Sequence, residues 1–140
     1  MSLPTSLTLE IVTPDRPVVR VEVDEVIVPA AHGYLGVLPG HTPLLATLEI
    51  GSLSYRTGTE VHEVAVAYGF AEILPDRVTV LAQMAERAED ISLERAEAAH
   101  KRAQDRVAAP NLDVDFERAR IAMLKALVRQ QVATRARTRT

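Results

Sequence analysis

Apolar and polar residues alternate with a period of two through much of the first 82 positions. Residues 7–12 read LTLEIV and residues 19–24 read VRVEVD. This period is typical of strands that are buried on one face. The same pattern, interrupted by turn residues, predicts further strands at residues 26–28, 44–48, 52–57, 61–67, 70–74 and 78–82. Because the gaps leave no room for crossover helices, we expect an antiparallel sandwich or barrel.

Near residue 85 the apolar residues change to a helical spacing. One face of the first predicted helix carries Leu93, Ala96, Ala99, Ala103 and Val107. The apolar stripe of the second consists of Phe116, Ala119, Met123 and Leu127. We expect AAPN at residues 108–111 to stop the first helix, and Asp113 or Asp115 to cap the second. The resulting hairpin needs the sandwich or a partner to pack against, because isolated helices of this length are marginal in water.

The charged residues divide the chain near the same place. Residues 1–91 contain 13 acidic and 5 basic residues, whereas residues 92–140 contain 6 acidic and 11 basic ones. We therefore expect a sandwich domain at residues 1–88 and a helical domain at residues 89–140, with different partners. A solvated basic helix face is the plainer interpretation of the same charges.

The composition argues against several classes of protein. The chain has no cysteine, and therefore no disulfide framework or thiolate chemistry. It has no apolar run near the roughly 20 residues of a transmembrane helix, and its first residues lack a secretory signal pattern. We expect a cytosolic protein, or one peripheral to a cytosolic assembly.

No catalytic or metal-binding pattern is present in the sequence. The four histidines lack the spacing of a zinc site, and no serine lies in a nucleophile elbow. No glycine-rich segment continues as a phosphate-binding loop. The basic second helix lacks the interleaved aromatic residues of single-strand nucleic-acid binders. We expect no metal, no nucleic-acid partner and no enzyme mechanism.

Residues 33–51, GYLGVLPGHTPLLATLEIG, are the most distinctive segment. They hold four of the six glycines and two of the eight prolines, with little side-chain chemistry. Prolines fix φ and glycines permit unusual φ, so the segment is suited to holding a shape. We interpret His41 as a residue that orders the loop by hydrogen bonding. A stiff loop without chemistry indicates docking rather than catalysis.

Residues 33–46, GYLGVLPGHTPLLA, resemble the central motif of the epsilon-subunit family of F-type ATP synthases, bacterial type. Residues 75–82, PDRVTVLA, and residues 85–90, AERAED, resemble the last strands of that family and their junction with the helices. The resemblance covers nearly the whole chain. It implies a flattened antiparallel β-sandwich of about ten strands, followed by an antiparallel α-helical hairpin.

The resemblance also implies a function. It implies a non-catalytic rotor subunit that binds the gamma subunit and rests on the c-subunit ring. Such a subunit lies peripherally on the cytoplasmic face of the plasma membrane and meets the membrane only through the complex. The docking loop would consist of Gly33, Tyr34, Leu35, Gly36, Pro39, Gly40, His41 and Thr42.

In this family the hairpin can also extend towards the alpha and beta subunits, and it then inhibits ATP hydrolysis. The basic residues that fit this contact are Arg118, Arg120, Lys125 and Arg129. Some bacterial members bind regulatory ATP at the folded hairpin. Of that motif the chain retains Ile91, Arg95 and Ala96, with Ser92 in place of aspartate; the nearby Arg102 would help to neutralise phosphates. Solvated helix charge is the plainer interpretation of both arginines.

Two other functions are compatible with the residues alone. One is a free-standing β-sandwich interaction module, which would explain the strands but not the order of the motifs. The other is a hydrolase whose site sequence patterns do not reveal. Absence of turnover, together with co-purification with a gamma subunit, would distinguish all three.

Overall fold

The computed structural model describes residues 3–108 and 115–139, which form eight strands, a short 3-10 turn and two helices. The elements are β1 Leu7–Val12, β2 Pro17–Val23, β3 Glu25–Ala30, β4 Gly33–Val37, β5 Leu44–Leu48, β6 Gly51–Thr57, β7 Glu60–Leu74, β8 Arg77–Arg87, the 3-10 turn Ala88–Asp90, α1 Leu93–Ala108 and α2 Phe116–Arg139. Within the described residues, neither helix is long and apolar enough to cross a bilayer.

The strands form a sheet in the order β2-β1-β8-β7-β5-β3-β4, and β6 pairs with both β3 and β7. The sheet encloses a core of aliphatic side chains to which most strands contribute, including Leu9, Val28, Leu53, Ile73 and Val80. The predicted sandwich and helical hairpin are confirmed. The described residues contain eight strands rather than about ten. One reason is that the candidate strands at 61–67 and 70–74 form the single strand β7.

One strand pair departs from the predicted antiparallel pattern. β1 runs antiparallel to β2 but parallel to β8, with Thr8 opposite Arg77 and Val12 opposite Leu81. A parallel pair needs a long connection between its strands. Here the intervening strands of the sandwich provide that connection, so no crossover helix is required.

β7 reverses its buried face at Tyr68 and Gly69. Before this point Val64 and Val66 belong to the core, whereas after it Ala71 and Ile73 do. Both residues at the reversal have positive φ, 57° at Tyr68 and 139° at Gly69. The first half of β7 pairs with β6 and the second half with β5, while the register with β8 is kept. The reversal therefore lets one strand serve both halves of the sandwich.

The helical hairpin lies against the sandwich. Its buried contact consists of Ala65 on β7 together with Ile91, Ala96, Val132 and Ala133 from the junction and the helices. Small residues on both sides allow the helices to approach the sheet closely. The hairpin therefore obtains from the sandwich the packing surface that it lacks alone.

The predicted apolar stripe of α2 is correct at Ala119 and wrong at Phe116. Ala119 is buried, but Phe116 is 58% exposed at the first turn. The buried residues further along are Ala126, Val132 and Ala133. The fully buried residues of α2 are therefore small, whereas the predicted stripe residues Met123 and Leu127 are half-buried. A phenylalanine at the first turn is not needed to fill the buried contact.

The predicted N-terminal cap of α2 is confirmed at Asp115. The backbone N–H of Arg118 donates to Asp115 Oδ1 at 3.2 Å, which satisfies one of the unpaired N–H groups of the first turn. The alternative cap Asp113 and the stop signal at residues 109–111 lie outside the described residues. α1 is described to Ala108.

A fragment of residues 1–88 is expected to fold without the helices. Every buried member of the main core cluster lies at or before Ala82, so removing the helices leaves that core complete. A chain of this size buries roughly 60–65% of its unfolded surface, which is sufficient for a modest stability. Thermal unfolding followed by circular dichroism should show one cooperative transition. A broad, non-cooperative change would contradict this expectation.

Candidate docking and regulatory surfaces

The predicted docking loop is partly a strand. Gly33–Val37 forms β4, which pairs with β3 from Ala30 opposite Gly33 to Val26 opposite Val37. Within this loop, residues 38–42 lie outside a strand. The glycines obscured this strand in the sequence, since glycine is a poor strand former. The segment is therefore held by a backbone ladder along its first half.

The second half of the segment is a tight turn at Leu38–His41. The His41 N–H donates to the Leu38 carbonyl at 3.2 Å. Pro39 followed by Gly40 at φ 85° is the residue order of a type II turn. The Gly40 N–H donates to the Pro75 carbonyl at 2.7 Å, which ties the turn to the β7–β8 connection. His41 Nδ1–H donates to the Thr42 carbonyl at 2.6 Å.

Large apolar side chains are exposed on and beside this segment. Tyr34 is 65% exposed, Leu38 53% and Leu45 68%. On the outer face of the sheet, Phe70 and Leu81 are also exposed and lie directly opposite each other in the register. Exposed apolar residues grouped in this way are typical of contact surfaces.

The four basic residues predicted to act in inhibition lie between residues 118 and 129 of α2, in different surroundings. Arg118 is exposed. Arg120 is paired with Glu117, Nη2 to Oε1 at 2.6 Å, and this guanidinium lowers the pKa of the Glu117 carboxyl. Lys125 Nζ lies 6.0 Å from the centroid of the Tyr68 ring.

Arg129 contacts the sandwich directly. Its Nε and Nη2 donate to the two carboxylate oxygens of Glu86 at 2.7 and 3.3 Å. Both side chains are about three-quarters buried, at 24% and 25% exposure. In this arrangement of the hairpin, the Arg129 guanidinium is bound by the sandwich and its side chain is only partly exposed to solvent.

A second arginine contact was not predicted from the sequence. Arg135 Nε donates to both carboxylate oxygens of Glu63 at 3.0 Å. The Ser52 hydroxyl also donates to Glu63 Oε1, at 2.8 Å. One feature of the sequence could have indicated this contact. Glu63 shares a face of β7 with the buried residues Ala65 and Ala67, and a carboxylate in buried surroundings needs a charged or hydrogen-bonding partner.

The predicted nucleotide-binding residues differ in exposure. Ile91 and Ala96 are buried in the contact between hairpin and sandwich, whereas Arg95 and Arg102 are exposed on α1. Ser92 Oγ accepts the Arg95 backbone N–H at 3.3 Å, as an N-cap does. The ATP site stays a sequence prediction.

The connection between the sandwich and the hairpin is organised by Arg87. Its Nε donates to Asp90 Oδ2 at 2.9 Å, and Nη1 lies 3.4 Å from Glu89 Oε1. The hydrogen bond from Arg87 lowers the pKa of Asp90. These contacts fix the 3-10 turn and hence the direction in which α1 leaves the sheet.

Comparison with known proteins identifies the family. The model of the ATP synthase Delta/Epsilon chain beta-sandwich domain matches residues 6–88, and that of its long alpha-helix domain matches residues 89–134. The chain belongs to the ATP synthase delta/epsilon family. The ATP synthase epsilon chain of Solibacter usitatus is 50% identical over 131 residues, covering 94% of this chain and 98% of the relative. The corresponding protein of Nitratidesulfovibrio vulgaris is 50% identical over 127 residues, covering 91% and 95%.

Family membership decides between the functions that the residues left open. The chain is an epsilon-type, non-catalytic subunit of ATP synthase, so neither the free-standing module nor the hydrolase is favoured. Among solved structures, a chain of the Euglena gracilis mitochondrial ATP synthase has the same fold. The TM-score is 0.79 at 20% identity, over 99% of this chain and 84% of that one.

Proposed function

We propose that the chain is a central-stalk subunit of the rotor, which couples the gamma subunit to the c-ring and restrains ATP hydrolysis through its C-terminal helices. The observation that carries this proposal is the 50% identity to epsilon chains over nearly the full length of both proteins. The structures with a similar chain are described as containing the F1/c-ring in Euglena gracilis and the central stalk/c-ring in Tetrahymena thermophila. In this proposal the subunit lies on the cytoplasmic face of the plasma membrane.

The two parts of the chain have different tasks in this proposal. Residues 1–88 dock on the rotor and residues 89–140 regulate it. The docking surface is built from residues 33–42, where the ladder to β3 and the Leu38–His41 turn resist deformation. Rigidity is useful in a subunit that transmits torque. The exposed side chains of Tyr34 and Leu38 supply apolar contact area.

Binding to gamma tests the proposed function directly. The purified full-length chain should form a stable complex with the gamma subunit of the same organism in size-exclusion chromatography, and should itself show no ATP turnover. A matched control is a different β-sandwich protein of similar size and charge. Failure of gamma to co-elute at micromolar concentrations would overturn the proposal.

Gly40→Val is expected to weaken assembly on the rotor more than it weakens the fold. The positive φ at Gly40 disfavours a β-branched residue, at a cost of about 1–2 kcal/mol. An added Cβ would lie 3.7 Å from the nearest atom of Leu3, which is ordinary contact. The substitution therefore strains the turn without a core clash. Affinity for gamma and the c-ring should fall while the thermal transition stays cooperative.

Gly58→Val provides the matched control for this variant. Gly58 lies outside the docking surface, its φ is also positive at 62°, and its added Cβ meets nothing within 4 Å. We expect its affinity to stay close to that of the wild type. Wild-type affinity in the Gly40→Val variant would show that the turn has no docking role.

A further inference from the structure

Glu63 is a buried carboxylate to which the proposed function gives no role. Its side chain is 7% exposed, and it lies on the same face of β7 as Ala65 and Ala67, beneath α2. The Ser52 hydroxyl on the neighbouring strand β6 holds Oε1 at 2.8 Å. A carboxylate in such a position is costly unless it is paired and hydrogen-bonded. Glu63 therefore favours any arrangement that brings a cation to it.

Arg135 on α2, whose side chain is 44% exposed, supplies such a cation. Its Nε lies 3.0 Å from both carboxylate oxygens, and Nη2 lies 3.0 Å from Oε1. Six residues earlier, Arg129 is bound by both oxygens of Glu86 on β8. Six helical residues span about 9 Å along the axis. Among the described contacts, the sandwich therefore holds α2 at no fewer than two points, each time by a carboxylate against a guanidinium.

The described buried cluster between the hairpin and the sandwich is apolar and rich in alanine. Three of the five buried residues in it are alanines: Ala65, Ala96 and Ala133. Alanine methyl groups bury little area, and apolar stabilisation scales with area. The polar pairs therefore have a large influence on how tightly α2 is held.

We propose that Glu63, positioned by Ser52, binds Arg135 and thereby holds the hairpin on the sandwich. We call this ion pair, together with the one described next, the latch. Glu86 and Arg129 form the second point of the latch. The consequence for the enzyme rests on the proposed function. If the detached hairpin meets acidic segments of the catalytic subunits, the sandwich glutamates and those segments compete for the same arginines. Loss of a sandwich glutamate then strengthens inhibition.

Thiol labelling tests the latch in the isolated full-length chain. The chain has no native cysteine, so Ala133→Cys places a single thiol in the buried contact. Its rate of modification reports how often the hairpin detaches. Val80→Cys, in the main core, reports global unfolding instead. In the Ala133→Cys background, Glu63→Gln and Arg135→Gln should each raise the labelling rate about tenfold, and Ser52→Ala about threefold.

Two controls make the result specific. Glu72→Gln removes an exposed carboxylate further along the same strand and should leave the rate unchanged. The double variant Glu63→Gln, Arg135→Gln should label no faster than the faster single variant, because its partners are coupled. Unchanged labelling in Glu63→Gln would overturn the latch. Equal acceleration at Val80→Cys would also overturn it, since the sandwich itself would then be destabilised.

Measuring ATP hydrolysis by the assembled synthase distinguishes a failure of the latch from a failure of the proposed function. Glu63→Gln should lower ATP hydrolysis about twofold or more, the direction opposite to that expected for loss of basic residues on α2. Faster thiol labelling with unchanged hydrolysis would support the latch and contradict the proposed inhibitory role. Unchanged labelling would contradict the latch whatever the hydrolysis rate.

Discussion

A Gly69→Ala variant is expected to lose more than about 3 kcal/mol of folding stability, with a fall in Tm of roughly 10 °C. The φ of Gly69 is 139°, a conformation that other residues rarely adopt. An added Cβ would lie 2.0 Å from the Leu81 carbonyl oxygen and 2.8 Å from Ala82 Cα. These are backbone atoms of the paired strand β8, so no side chain can move aside to relieve the clash.

The position explains why the effect should be global. Gly69 is where β7 exchanges its partner strand and reverses its buried face, and the core depends on both halves. Gly36→Ala is the matched control, because it adds the same methyl group where no atom lies within 4 Å of the new Cβ. It should shift Tm by no more than a few degrees. Circular dichroism melting of both variants measures the difference. Equal Tm values would contradict the structural account of the reversal.

Replacement of Arg118, Arg120, Lys125 and Arg129 by alanine is expected to raise ATP hydrolysis by the assembled complex several-fold while assembly is retained. Each charge in a partly desolvated contact could contribute on the order of 1 kcal/mol to the extended state. Four such contributions would shift a two-state population substantially. Arg129 and Lys125 also contact the sandwich, at Glu86 and Tyr68, so their removal weakens the docked state too. We expect the extended state to lose more stabilisation, through four contacts, than the docked state loses through two.

The matched control removes four exposed cations outside α2 that have no proposed role: Arg20, Arg77, Lys101 and Arg106. It lowers the net charge by the same amount and should leave hydrolysis unchanged. Raised salt should partly reproduce the effect of the α2 variant, because exposed pairs are screened over roughly 10 Å at 0.1 M. If these charges only solvate a surface helix, wild type and variant would hydrolyse ATP at equal rates and with equal salt dependence.

Local patterns predicted the parts of the fold that local physics controls. The strand at residues 44–48 and the cap at Asp115 were predicted as observed. The continuity of β7 was not, because Val64 and Val66 face the core in one half whereas Ala71 and Ile73 do so in the other. A break in the alternation of apolar and polar residues normally indicates the end of a strand. Only the backbone conformations of Tyr68 and Gly69 show that the strand continues through it.

The regulatory contacts were harder to predict for a different reason. Glu63 and Arg135 are 72 residues apart, and no local pattern connects them. Their pairing depends on how the hairpin lies on the sandwich, which is a property of tertiary packing. In the docking segment, the turn at Leu38–His41 is a local feature that follows from Pro39 and Gly40. Strand β4 was not predicted, because its glycines are poor strand formers.

The alanine-rich contact beneath the hairpin also has a consequence for temperature. The heat-capacity change of a transition grows with the apolar area that it exposes. Detaching the hairpin uncovers a small cluster in which three of the five buried residues are alanines, whereas unfolding the sandwich uncovers the much larger main core of leucines, isoleucines and valines. The free energy of docking should therefore change nearly linearly with temperature, even where the stability of the sandwich follows a strongly curved profile. The slope of that line is set by the enthalpy and entropy of the docked contacts and not by the apolar area that they bury.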